Sequence, residues 1–123
     1  MTPTRHFWAL VVSDIALADW YVAMFGLQVT ATLHPDDGSV VAILEDDAHV
    51  LELKQRARSV PRDPAAEGVM KVGWFVPSVA EEHARLAAAG AAVEPVIEQP
   101  ELGISFFFVV DPEENVIQIF SRR

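Results

Sequence analysis

The sequence has 123 residues, the length of one domain, and its 51% hydrophobic and 22% charged residues are typical of a folded protein. Its net charge of −9 argues against nucleic acid or an anionic membrane as a partner, because both require a basic face. It contains no cysteine, no apolar run of the roughly 18 residues that span a bilayer, and no signal-peptide pattern at its start. We therefore expect a cytoplasmic protein without disulfides or thiolate metal ligands.

The first half of the sequence predicts a strand, a helix and three further strands. Residues 6–12 form an apolar run rich in aromatic and branched side chains, as strands prefer. Ser13 or Asp14 can accept hydrogen bonds from the start of a helix, and Gly26 suits a left-handed C-terminal cap. Four apolar residues recur at helical spacing and predict one buried stripe: Ile15, Ala18, Val22 and Phe25. Three strands are expected to follow, at residues 29–33, 40–44 and 49–53.

The same order recurs in the second half, which indicates a duplicated unit. Four pairs of residues are separated by the same offset of 64 positions: Val12/Val76, Asp14/Ser78, Gly26/Gly90 and Val29/Val93. Residues 70–76 predict a strand, and Ser78 is expected to cap a helix that carries Glu82 as its capping-box partner. Gly90 ends this helix. Three more strands are predicted at residues 93–97, 104–110 and 116–120.

These units predict an α+β fold built from two paired βαβββ modules. The modules span about residues 5–54 and 70–123 of a single domain, and residues 55–69, rich in Arg, Pro and Ala, are the expected linker. One module cannot bury both faces of its sheet, but two can pair into a curved, mostly antiparallel sheet with helices on the outer face. A ligand, a partner or the protein's own side chains must then fill the concave inner face.

Short motifs stand at matching places in both modules. They are Val12-Ser13-Asp14, Trp20-Tyr21 and Phe25-Gly26-Leu27 in the first, and Val76-Pro77-Ser78 and Leu86-Ala87-Ala88-Ala89-Gly90 in the second. The last turn, Asp111-Pro112-Glu113-Glu114-Asn115, is close to the Asp-Pro-Asp-Gly-Asn of a known superfamily. In this ordered set the sequence resembles the vicinal oxygen chelate superfamily, which includes glyoxalases, bleomycin-resistance proteins and extradiol dioxygenases. The resemblance covers nearly the whole chain and implies fold more strongly than function.

Metal-dependent members of that superfamily hold a divalent cation with side chains from both modules. The resemblance places four residues at the ligand positions: Phe7, Glu52, Lys71 and Gln118. Phe7 offers no lone pair and Lys71 is itself a cation, so too few ligands remain for a tight metal site. We expect neither a metal nor any other cofactor.

The direction of the aromatic side chains depends on strand alternation. His6 lies next to Phe7, and we expect Phe7 on the concave face, although a bulge or a shift of one residue would exchange them. The same alternation predicts Phe75 on the concave face, and Phe107 is taken as the inward member of the Phe106-Phe107-Phe108 run. Inward rings would form a flat apolar wall suited to an aromatic ligand. The alternative for every ring is a place in the core.

Glu52 is the candidate catalytic residue, and two interpretations of it stay open. It could act as a general base or as the partner of a ligand cation, or it could be a half-exposed carboxylate paired with Lys54 or Lys71. Lys71, expected to neutralise Glu52, and Gln118 complete the candidate ligand-binding residues. The Arg56-Ala57-Arg58 segment is expected to be solvated linker, with contact to an anionic ligand as the alternative.

The sequence favours a metal-free protein that sequesters a small, aromatic or cationic, drug-like molecule, similar to the bleomycin-resistance type. One alternative is an enzyme of lyase, isomerase or dioxygenase type that uses Glu52 as a general base, with or without a weakly held divalent metal. Another is a protein-interaction module whose concave face is filled by its own side chains. The resemblance also implies a homodimer, formed side by side or by exchange of the second module.

Overall fold

The computed structural model describes residues 6–57 and 72–122. The chain divides into two compact units, Met1–Val69 and Met70–Arg123. Most of the predicted linker (residues 58–69) and the predicted site residue Lys71 lie outside the described residues. No helix in the described part of the chain is long and apolar enough to cross a membrane.

The first unit is a four-stranded mixed sheet with one helix. Its elements are β1 (His6–Val12), α1 (Leu17–Phe25), β2 (Gln28–Leu33), β3 (Val40–Glu45) and β4 (His49–Gln55). The strand order is β1-β4-β3-β2, in which β1 runs parallel to β4 and the other neighbours are antiparallel. This is the predicted order of one strand, one helix and three strands.

The second unit repeats this order with an additional break. Its elements are β5 (Val72–Phe75), α2 (Val79–Ala88), β6 (Ala92–Val93), β7 (Ile97–Gln99), a 3-10 turn (Pro100–Leu102), β8 (Ile104–Val110) and β9 (Val116–Arg122). The strand order is β5-β9-β8-β6, and β7 also pairs with β8. Only the β5–β9 pair is parallel within the described strands of this unit. The predicted α+β fold is therefore confirmed.

The core of the first unit lies on one face of its sheet. Leu10 and Val12 of β1 are buried there, together with three leucines of β3 and β4: Leu44, Leu51 and Leu53. Register places Leu51 opposite Leu44, so both point to the same side. The N–H of Ile15 donates to Gln55 Oε1 at 2.8 Å, which brings the start of the helical segment onto this face.

The core of the second unit is built in the same way, with α2 over one sheet face. Four residues of β8 and β9 have no exposed surface: Phe107, Val109, Ile117 and Ile119. The ring of His83 on α2 meets the ring of Phe107 edge to face, with centroids 5.0 Å apart. The N–H of Val79 donates to the buried Ser121 Oγ at 3.2 Å, which ties the start of α2 to β9.

Helix α1 differs from its prediction in its start and in its buried side. It begins at Leu17, because Asp14 Oδ1 accepts from the Ala16 N–H at 2.9 Å in a local turn and no side chain caps the helix. Its buried residues are Leu17, Ala18 and Tyr21, so only Ala18 of the predicted stripe is buried.

The second unit departs from its prediction at two places. The strand predicted at residues 93–97 is interrupted between β6 and β7, where Pro95 has no N–H to donate to a ladder. Ser78 caps α2 as predicted, and its Oγ accepts from the Glu81 N–H at 3.2 Å. Glu82, the predicted capping-box partner, instead forms an ion pair with Arg85 one turn along the helix.

Candidate functional site

We call the sheet face opposite the helix the open face of each unit. In the first unit, β1 and β4 contribute three pairs in register to this face: Phe7/Val50, Ala9/Glu52 and Val11/Lys54. Paired residues of neighbouring strands point to the same side of a sheet. The open face of the first unit therefore combines an aromatic ring, small apolar side chains, a carboxylate and an ammonium group.

Phe7, and not His6, lies on the open face. The His6 ring stacks on Trp8 with centroids 5.9 Å apart, and Trp8 lies 5.2 Å from the ring of His49. Trp8 lies two residues before Leu10 and therefore on the same side of the strand, and Leu10 is buried on the helix-covered face. Phe7 is 61% exposed, and the pairing of β1 with β4 contains no bulge that would exchange the two sets.

Glu52 is a half-buried carboxylate in an apolar part of this face. Its partners in register are Ala9 on β1 and Ile43 on β3. Among the described residues it makes no hydrogen bond and no ion pair, so the pairing with Lys54 is not formed. The pairing with Lys71 falls outside the described residues. A carboxylate in this setting can bind a cation or accept a proton.

Four phenylalanine rings form a wall on the open face of the second unit: Phe75, Phe120, Phe106 and Phe108. Phe75 and Phe120 stack with centroids 5.0 Å apart and an interplanar angle of 24°. Phe106 lies 6.0 Å from Phe120 and 5.5 Å from Phe108. The guanidinium carbon of Arg122 lies 5.7 Å from the centre of the Phe75 ring. This phenylalanine wall is a broad aromatic surface with a cation at one end.

Gly73 makes room for the phenylalanine wall. A Cβ built on Gly73 would lie 2.9 Å from the Phe120 ring and 2.9 Å from the Gln118 carbonyl oxygen. Contacts this short are not tolerated in a close-packed structure, so a side chain here would displace the Phe120 ring or the strand. The absence of a side chain at Gly73 therefore allows the Phe120 ring to take its place in the phenylalanine wall.

Phe107 was predicted to line the ligand site, and the structure corrects this prediction. Phe107 has no exposed surface and contacts His83 on the helix-covered face. Its neighbours Phe106 and Phe108 point to the opposite side, because side chains alternate along a strand. The inward assignment of Gln118 also places Phe120 of the same strand inward, and the register of β8 with β9 sets Phe108 opposite Gln118 and Phe106 opposite Phe120.

Gln118 lies on the open face, where its partners in register are Gly73 and Phe108. It is 8% exposed, and its amide makes no hydrogen bond with any described residue. An amide in this state can offer a donor or an acceptor to a ligand. The predicted site residues thus form two groups, Phe7 with Glu52 in the first unit and Phe75 with Gln118 in the second.

The residues at the superfamily's metal positions do not fit a transition metal. Phe7 has no donor atom, and Glu52 and Gln118 supply one carboxylate and one amide from separate units. The described residues contain no cluster of three or more His, Cys, Asp or Glu side chains able to hold an ion. This donor set falls short of the three or four protein ligands that such metals take.

Comparisons with known proteins agree with the fold. A family model described as a glyoxalase-like domain matches residues 11–120. A glyoxalase family protein from Enterococcus faecalis is 22% identical, with a TM-score of 0.79 and 94% of each chain covered. A glyoxylase/bleomycin resistance protein/dioxygenase domain from Frankia sp. EAN1pec is 19% identical, with a TM-score of 0.79 over 100% of this chain and 99% of that chain. TnmS3, an antibiotic binding protein from Streptomyces sp. CB03234, is 22% identical, with a TM-score of 0.74 over 99% and 98%.

At these identities the structural likeness shows a shared fold. No curated protein matches the sequence. The family match extends over both duplicated units and agrees with the resemblance that the sequence motifs carry. The chain therefore belongs to the glyoxalase-like domain family of the vicinal oxygen chelate superfamily.

Proposed function

We propose that this protein binds and sequesters a small, aromatic, cationic molecule without a metal. The observation that carries the proposal is Glu52, a half-buried carboxylate with no partner among the described residues, set between Ala9 and Ile43. The proposed ligand-binding residues are Phe7, Glu52, Lys71, Phe75, Phe106, Phe108 and Gln118.

The setting of Glu52 supports a cationic ligand. A carboxylate that is partly removed from water and lacks a partner is electrostatically unsatisfied. Ala9 and Ile43 beside it have only apolar side chains, so neither of these two neighbours can pair with the carboxylate. A ligand ammonium would form a charge-assisted hydrogen bond, the stronger class of hydrogen bond in proteins. The net charge of −9 also attracts cations over a longer range.

The phenylalanine wall supports an aromatic ligand. Phe75 is 60% exposed, and the other three rings are half-buried. Aromatic rings bind flat apolar molecules through offset stacking and edge-to-face contacts, in addition to the apolar area that they bury. A polar ligand without a ring would leave this surface unused.

The comparisons support a drug-like ligand. TnmS3 is described as an antibiotic binding protein, and the Frankia domain carries bleomycin resistance in its description. Both share the fold of this chain, and neither is described as binding a cation. The proposal for a cationic group therefore rests on Glu52 and on the net charge of the chain, and not on the comparisons.

The proposal includes a homodimer in the cytoplasm. Phe7 and Phe75 are 61% and 60% exposed in the single chain, and large exposed apolar side chains mark contact surfaces. In a homodimer with two-fold symmetry, Phe7 and Phe75 of both chains would contribute to the contact surface. Light scattering at micromolar concentration is expected to give twice the mass of the 13.5 kDa chain. A monomer would contradict the dimer and leave the ligand proposal standing.

The same carboxylate favours a second candidate function, an enzyme of lyase, isomerase or dioxygenase type with Glu52 as general base. A carboxylate that has no partner among residues 6–57 and 72–122 has, within that part of the chain, the free lone pairs that a base needs. The two candidates differ in the fate of the ligand. A sequestering protein returns the ligand unchanged, whereas an enzyme converts it.

Calorimetry with two probes that share one ring system tests the proposed function. Naphthylmethylamine is an aromatic cation at neutral pH, and naphthylmethanol is its uncharged analogue. We expect the amine to bind about tenfold more tightly, or about 1.4 kcal/mol, because only the amine has a cation for Glu52. Mass spectrometry should recover the amine unchanged. Equal affinity for both probes would contradict a cationic ligand, and a converted probe would favour the enzyme.

A further inference from the structure

A cavity of about 260 Å³ lies at one end of the open face of the first unit. It is lined by Val11, Asp37, Ser39, Lys54, Arg56 and Ala57. Val11 and Lys54 are partners in register on β1 and β4, so the cavity continues the surface that carries Glu52. Asp37 and Ser39 come from the turn between β2 and β3, and Arg56 follows the end of β4.

The cavity is more positive than the rest of the chain. Lys54 and Arg56 bring two cations against the single carboxylate of Asp37, whereas the whole sequence has a net charge of −9. Lys54 and Arg56 are half-buried, and Asp37 is exposed to solvent. Water and salt screen an exposed charge more strongly than a half-buried one, so the two cations dominate inside the cavity.

Ser39 adds an unsatisfied polar group to this cavity. It is 3% exposed, and its Oγ meets no partner at hydrogen-bond geometry among the described residues. Its backbone N–H donates to Asp37 Oδ1 at 2.9 Å. Buried hydroxyl groups rarely stay without a partner, so an acceptor that enters the cavity would complete the site.

We propose that this cavity binds an anionic oxygen group, such as a carboxylate, of the small molecule whose cationic group Glu52 binds. The inference rests on the proposed function and narrows the ligand class to an aromatic zwitterion. Lys54 and Arg56 supply the charge, and Ser39 Oγ supplies a donor. Glu52 and Lys54 lie two residues apart on the same face of β4, which separates the two ligand charges by about 7 Å.

Three probes test the chemistry of this cavity: naphthoate, its uncharged isostere naphthamide, and inorganic phosphate. Binding to the full chain is measured by amide chemical shifts and by calorimetry, for the wild type and for Lys54→Gln, Arg56→Gln and Ser39→Ala. We expect naphthoate to shift the amides of Ser39, Lys54 and Arg56, and naphthamide to leave them unchanged. Each loss of a cation should weaken naphthoate about tenfold, and Ser39→Ala should weaken it about threefold.

Arg85→Gln is the matched control, because it removes one positive charge from the exposed side of α2. An equal loss of naphthoate affinity in Arg85→Gln and Lys54→Gln would overturn the proposal, as would equal binding of naphthamide. Unchanged amide spectra of the free variants show that they are folded. Phosphate that competes with naphthoate for the same residues supports the oxyanion chemistry. Phosphate binding without naphthoate binding would assign the cavity to a free oxyanion and overturn the link to the ligand.

The naphthylmethylamine experiment separates this inference from the proposed function. Naphthoate binding that depends on Lys54 and Arg56, without amine binding, would keep the anion site and contradict the role of Glu52. Binding of naphthylmethylamine without binding of naphthoate would keep the role of Glu52 and contradict the anion site. A zwitterionic ligand is supported if both probes bind, if Glu52→Gln weakens only the amine, and if Lys54→Gln and Arg56→Gln weaken only naphthoate.

Discussion

Glu114 adopts a left-handed backbone conformation, with a φ of 68°, in the turn that joins β8 to β9. Asp111 closes this turn, and its Oδ1 accepts from the N–H groups of Glu113 at 2.8 Å and Asn115 at 2.9 Å. A residue with a Cβ pays roughly 1 kcal/mol in this conformation, and glycine avoids the cost. We expect Glu114→Gly to raise the free energy of unfolding by about 0.5–1 kcal/mol, measured by urea denaturation.

Glu113→Gly is the matched control, because Glu113 lies in the same turn without a positive φ. Glycine there adds only flexibility to the unfolded chain and should lower stability. If Glu114→Gly destabilised the protein as much as this control, the backbone of Glu114 would not be strained. The superfamily pattern Asp-Pro-Asp-Gly-Asn has glycine at the position of Glu114.

The consecutive phenylalanines of β8 are expected to differ in what they stabilise. Phe107→Ala should lower the free energy of unfolding by about 3–5 kcal/mol, because this ring is fully buried against α2. Phe106→Ala should cost less stability and should instead weaken the uncharged aromatic probe naphthylmethanol, because this ring belongs to the phenylalanine wall. Urea unfolding and calorimetry measure the two effects. The opposite order would contradict the assignment of the two faces.

Alternation along β8 shows how far the sequence predicts single residues. That Phe107 and its neighbours occupy opposite faces follows from the strand alone. Which face each one takes depends on the helix above, where His83 meets Phe107. The place of Glu52 on the open face was predicted from its motif position, and the unbroken register of β4 with β1 agrees with that prediction.

At the scale of elements, the two helices end alike and begin differently. Gly26 and Gly90 have φ values of 69° and 85°, and both ends were predictable because the need for glycine in this conformation is local. The start of α1 was not predictable, because the Asp14 side chain accepts from the Ala16 N–H in a local turn and this turn competes with capping. The break between β6 and β7 was visible in the sequence as Pro95.

The cap of α2 gives a prediction at this scale. Ser78→Ala removes the oxygen that accepts from the Glu81 N–H and should lower the free energy of unfolding by about 1 kcal/mol. Ser78→Thr keeps a hydroxyl at the same place and should retain most of the stability. Thermal or urea unfolding measures both variants. Equal losses in the two would show that the cap hydrogen bond does not stabilise the helix.

At the scale of the whole molecule, the duplication was predictable and the chemistry of each half was not. The offset of 64 residues and the motif order predicted two βαβββ units, because both follow from the order of the elements and from the positions of the helix ends. The setting of Glu52 and the phenylalanine wall depend on register between strands distant in sequence. No local pattern in a single sequence carries that information.

The metal positions lead to a prediction about the purified protein. Because Phe7 has no donor atom and Glu52 and Gln118 are too few ligands, we expect no stoichiometric transition metal. Added Zn²⁺, Ni²⁺ or Mn²⁺ should leave the midpoint of thermal unfolding unchanged, since a metal that does not bind the native state cannot stabilise it. Elemental analysis that finds close to one metal ion per chain would contradict this prediction.

The most direct test concerns the binding of a ligand cation by Glu52. The measurement is the dissociation constant of naphthylmethylamine for the wild type, for Glu52→Gln and for Glu81→Gln, which makes the same change of net charge at an exposed position on α2. Glu52→Gln keeps the shape of the side chain and removes its charge, so it should weaken binding by about 1–3 kcal/mol. Glu81→Gln should bind like the wild type. Unchanged affinity in Glu52→Gln, or an equal loss in both variants, would contradict the proposed role of Glu52.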